Sequence, residues 1–501
     1  MTGFGWQDYL IFVVYLIVSV LVGVVFVREQ KTVKDYFLAG KSMNYFMVAI
    51  SVIAALFSGI SYLGAPAETY AHDLSFSLVM LAFLIATPVT TLLFLPFFCN
   101  LRLYSAYEYF EKRFDVSVRC LSSGLFIIRV LIWLALATYA PALALQAVTG
   151  MPLWVTIILT GSLTTLYTTL GGMKAVIWTD VIQFFVLVGG MVVIFIAAIT
   201  GVPGGFSSAM EIAREGGRLR LFDFSLDPTI RVTFWGVFLG GAFMNLVQMA
   251  TDQVSVQRYL TTPNLREAKR SLWLKLVLTF PVVAIFYFSG VLMYAYYHQA
   301  GATPPNLLKT DQILPYFVVH ELPAGMPGLL IAAIYAATMS TISSGINALT
   351  TATLVDFRNR FSKTQPDAHQ SIRLARFVTV GYGAIVIVLA FVVERMGTLL
   401  EASNKAVGLV GGPLLGIFLL GFLSKRANGP GTVIGWLVGV CVLGFVCYTT
   451  AVSFLWYALI GCLVTMAAGW CASLFFAVPP DEKTRGLVAR KGNWPQEVTD
   501  D

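Results

Sequence analysis

Residues 331–350 read IAAIYAATMSTISSGINALT and place a cluster of hydroxyl and amide side chains inside a long apolar segment. On a helix, residues three and four apart share a face, which gathers the polar side chains into one stripe. The stripe consists of Ser340, Ser343, Ser344 and Asn347. Facing lipid, each unpaired polar group would cost several kcal/mol. The pattern therefore predicts an inward face that either joins helices by hydrogen bonds or binds a small hard cation.

The composition is that of a polytopic membrane protein. Of the 501 residues, 57% are hydrophobic and 12% are charged, whereas a soluble domain carries about 25% charged residues. The net charge of +7 does not indicate nucleic-acid binding, because the basic residues are scattered among short loops. The six cysteines lie in or beside apolar segments, so the sequence predicts no disulfide framework.

Thirteen apolar runs predict membrane spans, since about 20 such residues cross a bilayer as a helix. They cover residues 7–26, 44–70, 74–99, 120–148, 152–170, 174–200, 229–257, 271–297, 326–354, 372–393, 397–424, 429–449 and 452–478. If the N-terminus is outside and the C-terminus cytoplasmic, 24 of the 33 lysines and arginines fall on the inner side and six on the outer. This asymmetry favours that orientation in the plasma or inner membrane.

Three predicted spans carry small residues at mid-depth, a pattern typical of broken helices. The second contains AALFSGIS (54–61), and the eleventh contains Gly411-Gly412-Pro413. The seventh contains Gly236 and the pair Gly240-Gly241. Broken helices at membrane depth occur where they line a cavity or are buried in protein, and they mark transport sites. Close helix packing stays open as an alternative reason for the glycines.

A few charged residues fall inside or at the ends of predicted spans. Asp180 needs a partner there, because an intramembrane charge costs upward of ~2.5 kcal/mol. A cation, a basic side chain such as Arg129, or a proton would each satisfy it. Arg129 itself either holds an anionic substrate or braces a carboxylate. Glu401 and Lys405, four residues apart, are predicted to form a local ion pair.

Asp252 and Arg258 lie at the end of the seventh span, where we expect an interfacial structural role. Soluble-enzyme signatures are missing from the sequence: it has no H-E-x-x-H, G-x-S-x-G, P-loop or C-x-x-C. The sequence therefore predicts neither enzyme activity nor transport driven by ATP hydrolysis in this chain. Energy for transport would come from an ion gradient, or the protein is passive.

Seven segments resemble the sodium:solute symporter family over nearly the whole chain. They are KTVKDYFLAGKSM (31–43), SVIAALFSGISYLGAPAETY (51–70), SAYEYFEKRF (105–114), LGGMKAVIWTDVIQ (170–183), VQRYL (256–260), GLLIAAIYAATMSTISSGINAL (328–349) and GLVGGPLLGIFLLG (408–421). Three further segments are most similar to the branch that carries monocarboxylates, iodide, biotin and pantothenate. These are TYAPALALQAVTG (138–150), GGRL (216–219) and DQILPYFV (311–318).

The resemblance implies an all-α polytopic membrane protein with the LeuT-type fold, in which two five-helix repeats have inverted topology. Residues 44–200 and 229–424 would form the repeats, and residues 7–26 and 429–478 would form flanking helices. One transmembrane domain would then cover residues 1–479, followed by a short cytoplasmic tail, residues 480–501.

The resemblance also implies sodium sites. The common site would use the carbonyls of Ala54, Phe57 and Ala337 and the hydroxyls of Ser340 and Thr341. A second site, found in some members, would use Asp180, Ser340, Ser343 and Ser344. One or two sodium ions would travel with each solute. No organic cofactor, nucleic acid or obligate protein partner is indicated; the partners would be a small solute and the lipid bilayer.

The family's geometry implies a substrate pocket near the breaks of the second and seventh spans and the facing part of the fourth. The predicted pocket residues are Ser58, Ser61, Tyr139, Phe243, Asn245 and Gln248. Sialic-acid members grip the substrate with an arginine in the fourth span, and an ungapped match puts Trp133 there. The resemblance thus predicts a sodium-coupled importer of a small monocarboxylate or similar anion, working by alternating access. Symport of sialic acid, a sugar, proline or a vitamin, and a passive channel or solute sensor, are the alternatives.

Overall fold

The computed structural model describes residues 4–25, 32–101, 103–299, 307, 309–323, 325–362, 368–393 and 399–489, whose regular secondary structure is helical. The long helices and the halves of broken ones are α1 (Trp6–Val25), α2 (Tyr45–Leu56), α3 (Gly59–Ala71), α4 (Leu74–Asn100), α5 (Val116–Thr149), α6 (Leu153–Leu166), α7 (Gly172–Thr200), α8 (Gly236–Thr251), α9 (Gln253–Tyr259), α10 (Leu265–His298), α11 (Met326–Phe361), α12 (Ala368–Ala390), α13 (Leu400–Leu423), α14 (Gly429–Thr449) and α15 (Tyr457–Ser473). Shorter helices are Val33–Leu38, Glu108–Arg113, Gly205–Glu215 and Ile313–Glu321.

The helices have the length and composition of membrane spans. In the described part of the chain, nine helices are long and apolar enough to cross a bilayer, and the bent pair α2–α3 brings the number to ten. Large apolar side chains on α12 and α14, such as Phe377 and Phe445, are exposed. Such surfaces are unusual on soluble proteins and typical of lipid contact. The protein is therefore a multi-pass membrane protein.

Helix α11 forms the centre of the molecule, and every residue from Leu330 to Ala352 is buried. It packs against α1, α2, α5, α7 and α12. Small residues make this packing close: a Cβ on Gly345 would lie 2.5 Å from Leu134 Cδ2 of α5. The polar stripe of α11 thus faces protein, as the sequence predicts.

The predicted break in the second span lies between α2 and α3, which are bent by 64°. Helix α2 ends at Leu56, and Phe57 has non-helical backbone angles of φ −86° and ψ 86°. The hydroxyl of Ser58 then accepts a hydrogen bond from Ile60 N at 3.2 Å, which caps α3. Gly59 allows the break to touch α11, because a Cβ there would lie 2.4 Å from Thr338 Oγ1.

The predicted interruptions at Gly240-Gly241 and at Gly411-Gly412 are wrong. Helix α8 is continuous from Gly236 to Thr251 with two π-helical segments, and its break lies at Asp252, which is extended. Helix α13 likewise contains a π-helical segment rather than a break. Both glycine pairs serve close packing between helices. A Cβ on Gly240 would lie 2.2 Å from the carbonyl oxygen of Leu455, just before α15, and a Cβ on Gly411 would lie 2.3 Å from Val247 Cγ1 of α8.

A short segment after α15 folds back onto the loop between α4 and α5. Tyr109 Oη donates a hydrogen bond to the carbonyl of Leu487 at 2.8 Å, and Lys483 Nζ donates one to the carbonyl of Glu111 at 3.0 Å. Val488 is buried. The predicted cytoplasmic tail, residues 480–501, therefore begins with a packed segment, and its residues 490–501 lie outside the described part of the chain.

The same loop is joined to the end of α11 by ion pairs. Glu111 accepts from Arg119 at 2.7 Å and from Arg360 at 2.7 Å. Partial burial acts to raise the pKa of the Glu111 carboxyl, but these two guanidinium groups hold that pKa below its ordinary value. Arg119 also contacts the buried Asp356 of α11 at 2.8 Å. The loop, α5 and α11 are thereby tied together at one end of the bundle.

Replacing Gly290 by alanine is expected to destabilise the protein. Helix α10 crosses α3 so closely that a Cβ on Gly290 would lie 2.0 Å from the carbonyl of Pro66 and 2.1 Å from Thr69 Oγ1. Such overpacking costs about 1–3 kcal/mol. Thermal unfolding in detergent measures the loss. Gly189→Ala is the matched control, because a Cβ there meets no described atom within 4 Å, and it should leave the midpoint unchanged or higher.

Candidate functional site

The break between α2 and α3 leaves backbone carbonyls without helical partners, and hydroxyls of α11 reach them. Ser340 Oγ lies 2.8 Å from the carbonyl oxygen of Ala54 and 2.9 Å from that of Ala337. Thr341 Oγ1 lies 3.0 Å from the carbonyl oxygen of Ala55 and 3.1 Å from that of Ala337. All of these groups are buried. Uncharged carbonyl and hydroxyl oxygens thus lie close together at the end of α2.

This arrangement matches the coordination chemistry of a hard monovalent cation. Unwound backbone carbonyls at half-helix ends are typical sodium ligands in transporters. Each hydroxyl has one proton to donate but two lone pairs, so it can turn from its carbonyl partner toward a cation. The structure brings four of the five predicted residues together, and the fifth, Phe57, is the non-helical residue at the break. Ala55 was not among the predicted residues, because the contact of its carbonyl with Thr341 depends on where α2 ends.

The second predicted cluster centres on Asp180 of α7, which is fully buried. Asp180 Oδ2 accepts hydrogen bonds from Ser51 Oγ at 2.5 Å and from Arg258 Nη2 at 2.8 Å. Asp180 Oδ1 is buried and has no hydrogen-bond partner among the described residues. Since buried polar atoms normally find partners, this oxygen is available to a cation.

The serines of the second cluster turn toward their own helix. Ser343 Oγ donates to the carbonyl of Ser340 at 3.2 Å, and Ser344 Oγ donates to the same carbonyl. Arg258 Nη2 donates to Ser344 Oγ. Ser340 therefore connects the two clusters, with its hydroxyl in the first and its carbonyl beside the second. The guanidinium of Arg258 lies between Asp180 and Ser344.

Arg258 is the residue that sequence reasoning missed. An interfacial structural role was predicted for it and for Asp252, without partners; both are buried in protein, with exposed fractions of 1% and 2%. Arg258 pairs with Asp180, and Asp252 pairs with Arg129. Among the alternatives left open above, Arg129 therefore braces a carboxylate, and it is not the partner of Asp180. The predicted pair of Glu401 and Lys405 is present at 3.0 Å.

The predicted substrate residues lie on three helices. Ser58 and Ser61 are in or beside the first turn of α3, Tyr139 is on α5, and the others are on α8. Within the described structure, Asn245 Nδ2 is buried without a hydrogen-bond partner, which leaves it for a ligand. Ser58 is already used as a helix cap. The start of α3 faces α5, because a Cβ on Gly59 would lie 3.6 Å from Ala140 Cβ.

Tyr139 borders a cavity of about 420 Å³ between α5, α6 and the end of α12. Lys309 and Gln312 also line this cavity, and Lys309 Nζ lies 5.8 Å from the centre of the Tyr139 ring. Among the described residues that line it, Tyr139 is the only predicted substrate residue. The structure thus places the α8 residues away from the walls of this cavity.

A bundle of apolar helices, with one bent pair whose break gathers carbonyl and hydroxyl oxygens, is the arrangement of a secondary transporter of the LeuT type. The model of the sodium:solute symporter family matches residues 36–439. The chain belongs to the sodium:solute symporter family. It is therefore a membrane transporter of small solutes and not an enzyme.

Two similar sequences and one similar structure illustrate this membership. Sodium-coupled monocarboxylate transporter 1 of Homo sapiens is 36% identical over 441 residues, which cover 87% of this chain and 72% of that protein. The sodium/sialic acid symporter SiaT of Proteus mirabilis (strain HI4320) is 35% identical over 481 residues, which cover 95% and 96%. A substrate-bound, outward-open structure of a Na⁺-coupled sialic acid symporter superposes with a TM-score of 0.87 at 33% identity, covering 95% of this chain and 99% of that one.

Proposed function

We propose that this protein imports a small monocarboxylate or similar small anion together with two sodium ions, by alternating access. The observation that carries the proposal is the convergence of the Ser340 and Thr341 hydroxyls on the carbonyls of Ala54, Ala55 and Ala337. Sodium at this place would join α2 to α11 and so favour one of the carrier's states. Coupling then requires that solute binding favour the same state, and the effect is reciprocal in binding free energy.

A second sodium ion is proposed at Asp180, Ser340, Ser343 and Ser344. Its support is that the two oxygens of the Asp180 carboxylate have different surroundings. Oδ2 accepts hydrogen bonds from Arg258 and Ser51. The other oxygen is buried and unbonded among the described residues. A single carboxylate beside hydroxyl and carbonyl oxygens suits a monovalent ion.

We further propose thirteen membrane spans with the N-terminus outside and the C-terminus in the cytoplasm. Besides the nine long helices and the bent pair, three shorter apolar helices are available, namely Trp6–Ser19, Leu153–Leu166 and Gly236–Thr251. Each predicted span would then correspond to one of these helices or to the bent pair. The repeats would be residues 44–200 and 229–424, of which the first contains the break at Phe57 and the second the break at Asp252. The loop of residues 103–115 would then lie on the inner side.

The proposed solute class rests on what surrounds the pocket. Relatives named for monocarboxylates and for sialic acid have nearly the same percentage of residues identical to this chain. This percentage therefore does not decide between the two classes of solute. An ungapped match would put Trp133 at the position where sialic-acid members have an arginine, and the nearby Arg129 is paired with Asp252. The apolar run TYAPALAL (138–145) on α5 suits a small organic anion.

Uptake into proteoliposomes tests both parts of this proposal. With an inward sodium gradient and a negative interior, lactate or pyruvate is expected to accumulate above its external concentration. Replacing sodium by potassium or choline should abolish the accumulation, and undiminished uptake would reject sodium coupling. Labelled sialic acid, proline, glucose and biotin are tested in the same way. Sodium-dependent accumulation of one of these, with none of the monocarboxylates, would assign the other solute; equilibration without accumulation would indicate a passive channel.

A further inference from the structure

Arg258 connects the last helical turns of the broken seventh span to three other helices. Its Nε donates to Ser51 Oγ of α2 at 2.8 Å, and its Nη2 donates to Asp180 of α7 at 2.8 Å and to Ser344 of α11. Its exposed fraction is 1%. The guanidinium is therefore one point at which α9 is attached to the helices that carry the proposed sodium ligands.

The rest of α9 is also attached to neighbouring segments by hydrogen bonds of buried side chains. Every residue from Gln253 to Tyr259 is buried. Gln257 Nε2 donates to the carbonyl of Phe37 at 2.7 Å, and it also contacts Asn347 and Thr351 of α11. Gln253 exchanges hydrogen bonds with the backbone of Ala106 and Tyr104. In the proposed orientation, α9 thus closes the inner end of the bundle below both sodium clusters.

Among these attachments of α9, only the one made by Arg258 involves proposed sodium ligands, namely Asp180 and Ser344. The carboxylate of Asp180 carries a single negative charge, and Arg258 already uses one of its oxygens. A sodium ion on Oδ1 would share that charge with the guanidinium and repel it, because both cations would be within a few ångströms in a buried site. The other buried pair at this end, Arg129 with Asp252, includes no proposed ligand.

We propose that Arg258 is a positioning residue that makes the attachment of α9 responsive to the second sodium ion. This inference rests on the proposed sodium site at Asp180. Without sodium at Asp180, the Asp180–Arg258 pair holds α9 closed, and sodium there weakens the pair. A carrier with only the common site filled stays closed on the inner side, so a single bound sodium ion is not released there. By reciprocity, Arg258 lowers the sodium affinity of Asp180.

Labelling of a cysteine at Ser255 reports directly on α9, since Ser255 is 1% exposed in the closed arrangement. The variant Ser255→Cys is reacted with a membrane-permeant maleimide in sodium-free liposomes, and the same protein without that change gives the background from its six native cysteines. Adding Arg258→Gln is expected to raise the labelling rate by at least about fivefold. Arg258→Lys, which keeps the charge, should give an intermediate rate.

Sodium dependence of uptake separates this role from a purely structural one. Arg258→Gln should lower the half-saturating sodium concentration by about fivefold or more while the Hill coefficient stays near two. Arg129→Gln, the control, should speed labelling without shifting the sodium dependence. A labelling rate unchanged by Arg258→Gln, or a raised half-saturating sodium concentration, overturns the inference even if the second site is real. A Hill coefficient that Asp180→Asn leaves unchanged overturns the second site and the sodium response together.

Discussion

Removing either hydroxyl of the common sodium site is expected to raise the half-saturating sodium concentration for uptake by roughly ten- to a hundredfold. The variants are Ser340→Ala and Thr341→Val, the second of which keeps the shape of the side chain. Both hydroxyls are fully buried beside the carbonyls at the α2 break. A polar contact to a charged group contributes about 1.5–3 kcal/mol, and about 1.4 kcal/mol corresponds to a tenfold change in affinity.

Two further variants make this experiment specific. Thr341→Ser retains the hydroxyl and should restore most of the sodium affinity. Thr350→Val removes another buried hydroxyl of α11, whose partner is Thr379 Oγ1 at 3.1 Å, and it lies well away from the break. It should leave the sodium dependence unchanged. If Thr350→Val shifts the sodium dependence as much as Thr341→Val does, the effect is one of helix packing and the common site is misplaced.

Replacing Asp180 by asparagine is expected to lower the Hill coefficient for sodium from near two toward one and to reduce accumulation strongly. With an interior potential of about −100 mV, each charge gains about 2.3 kcal/mol, and a tenfold sodium gradient adds about 1.4 kcal/mol. Two sodium ions with one monovalent anion therefore leave about 5 kcal/mol, which sustains roughly a several-thousandfold accumulation. One sodium ion with the same anion leaves about 1.4 kcal/mol, or roughly tenfold.

Asp356→Asn is the matched control for this substitution. Asp356 is also a fully buried carboxylate, but it pairs with Arg119 and accepts from Ser105 and Ser123 at the loop end of the bundle. It should change stability without changing the Hill coefficient. Uptake that follows a pH gradient and ignores sodium would show that the coupling ion is a proton, and the proton gradient would then replace the sodium gradient as the driving force.

Much of the architecture follows from local patterns in the sequence. Apolar runs, small residues and basic residues near the ends of runs are local properties, so they indicated the helices and the break at Phe57-Ser58. The Glu401–Lys405 pair was also predictable, because residues four apart on a helix are neighbours. Local patterns were insufficient at Gly240-Gly241, where a glycine pair signals a break or a close contact equally well. The neighbouring helix decides, and its Leu455 lies more than 200 positions away in the chain.

The sequence by itself determined that α11 carries a buried stripe of hydroxyls and that Asp180 needs a partner within the membrane. Only the tertiary structure decided which groups meet them. It brings the carbonyls of the α2 break to Ser340 and Thr341, and it pairs Asp180 with Arg258 rather than with Arg129. The reason is physical: the chain contains several cations that could neutralise one carboxylate, and any of them would satisfy its charge. Helix packing alone selects the one that lies within hydrogen-bond distance.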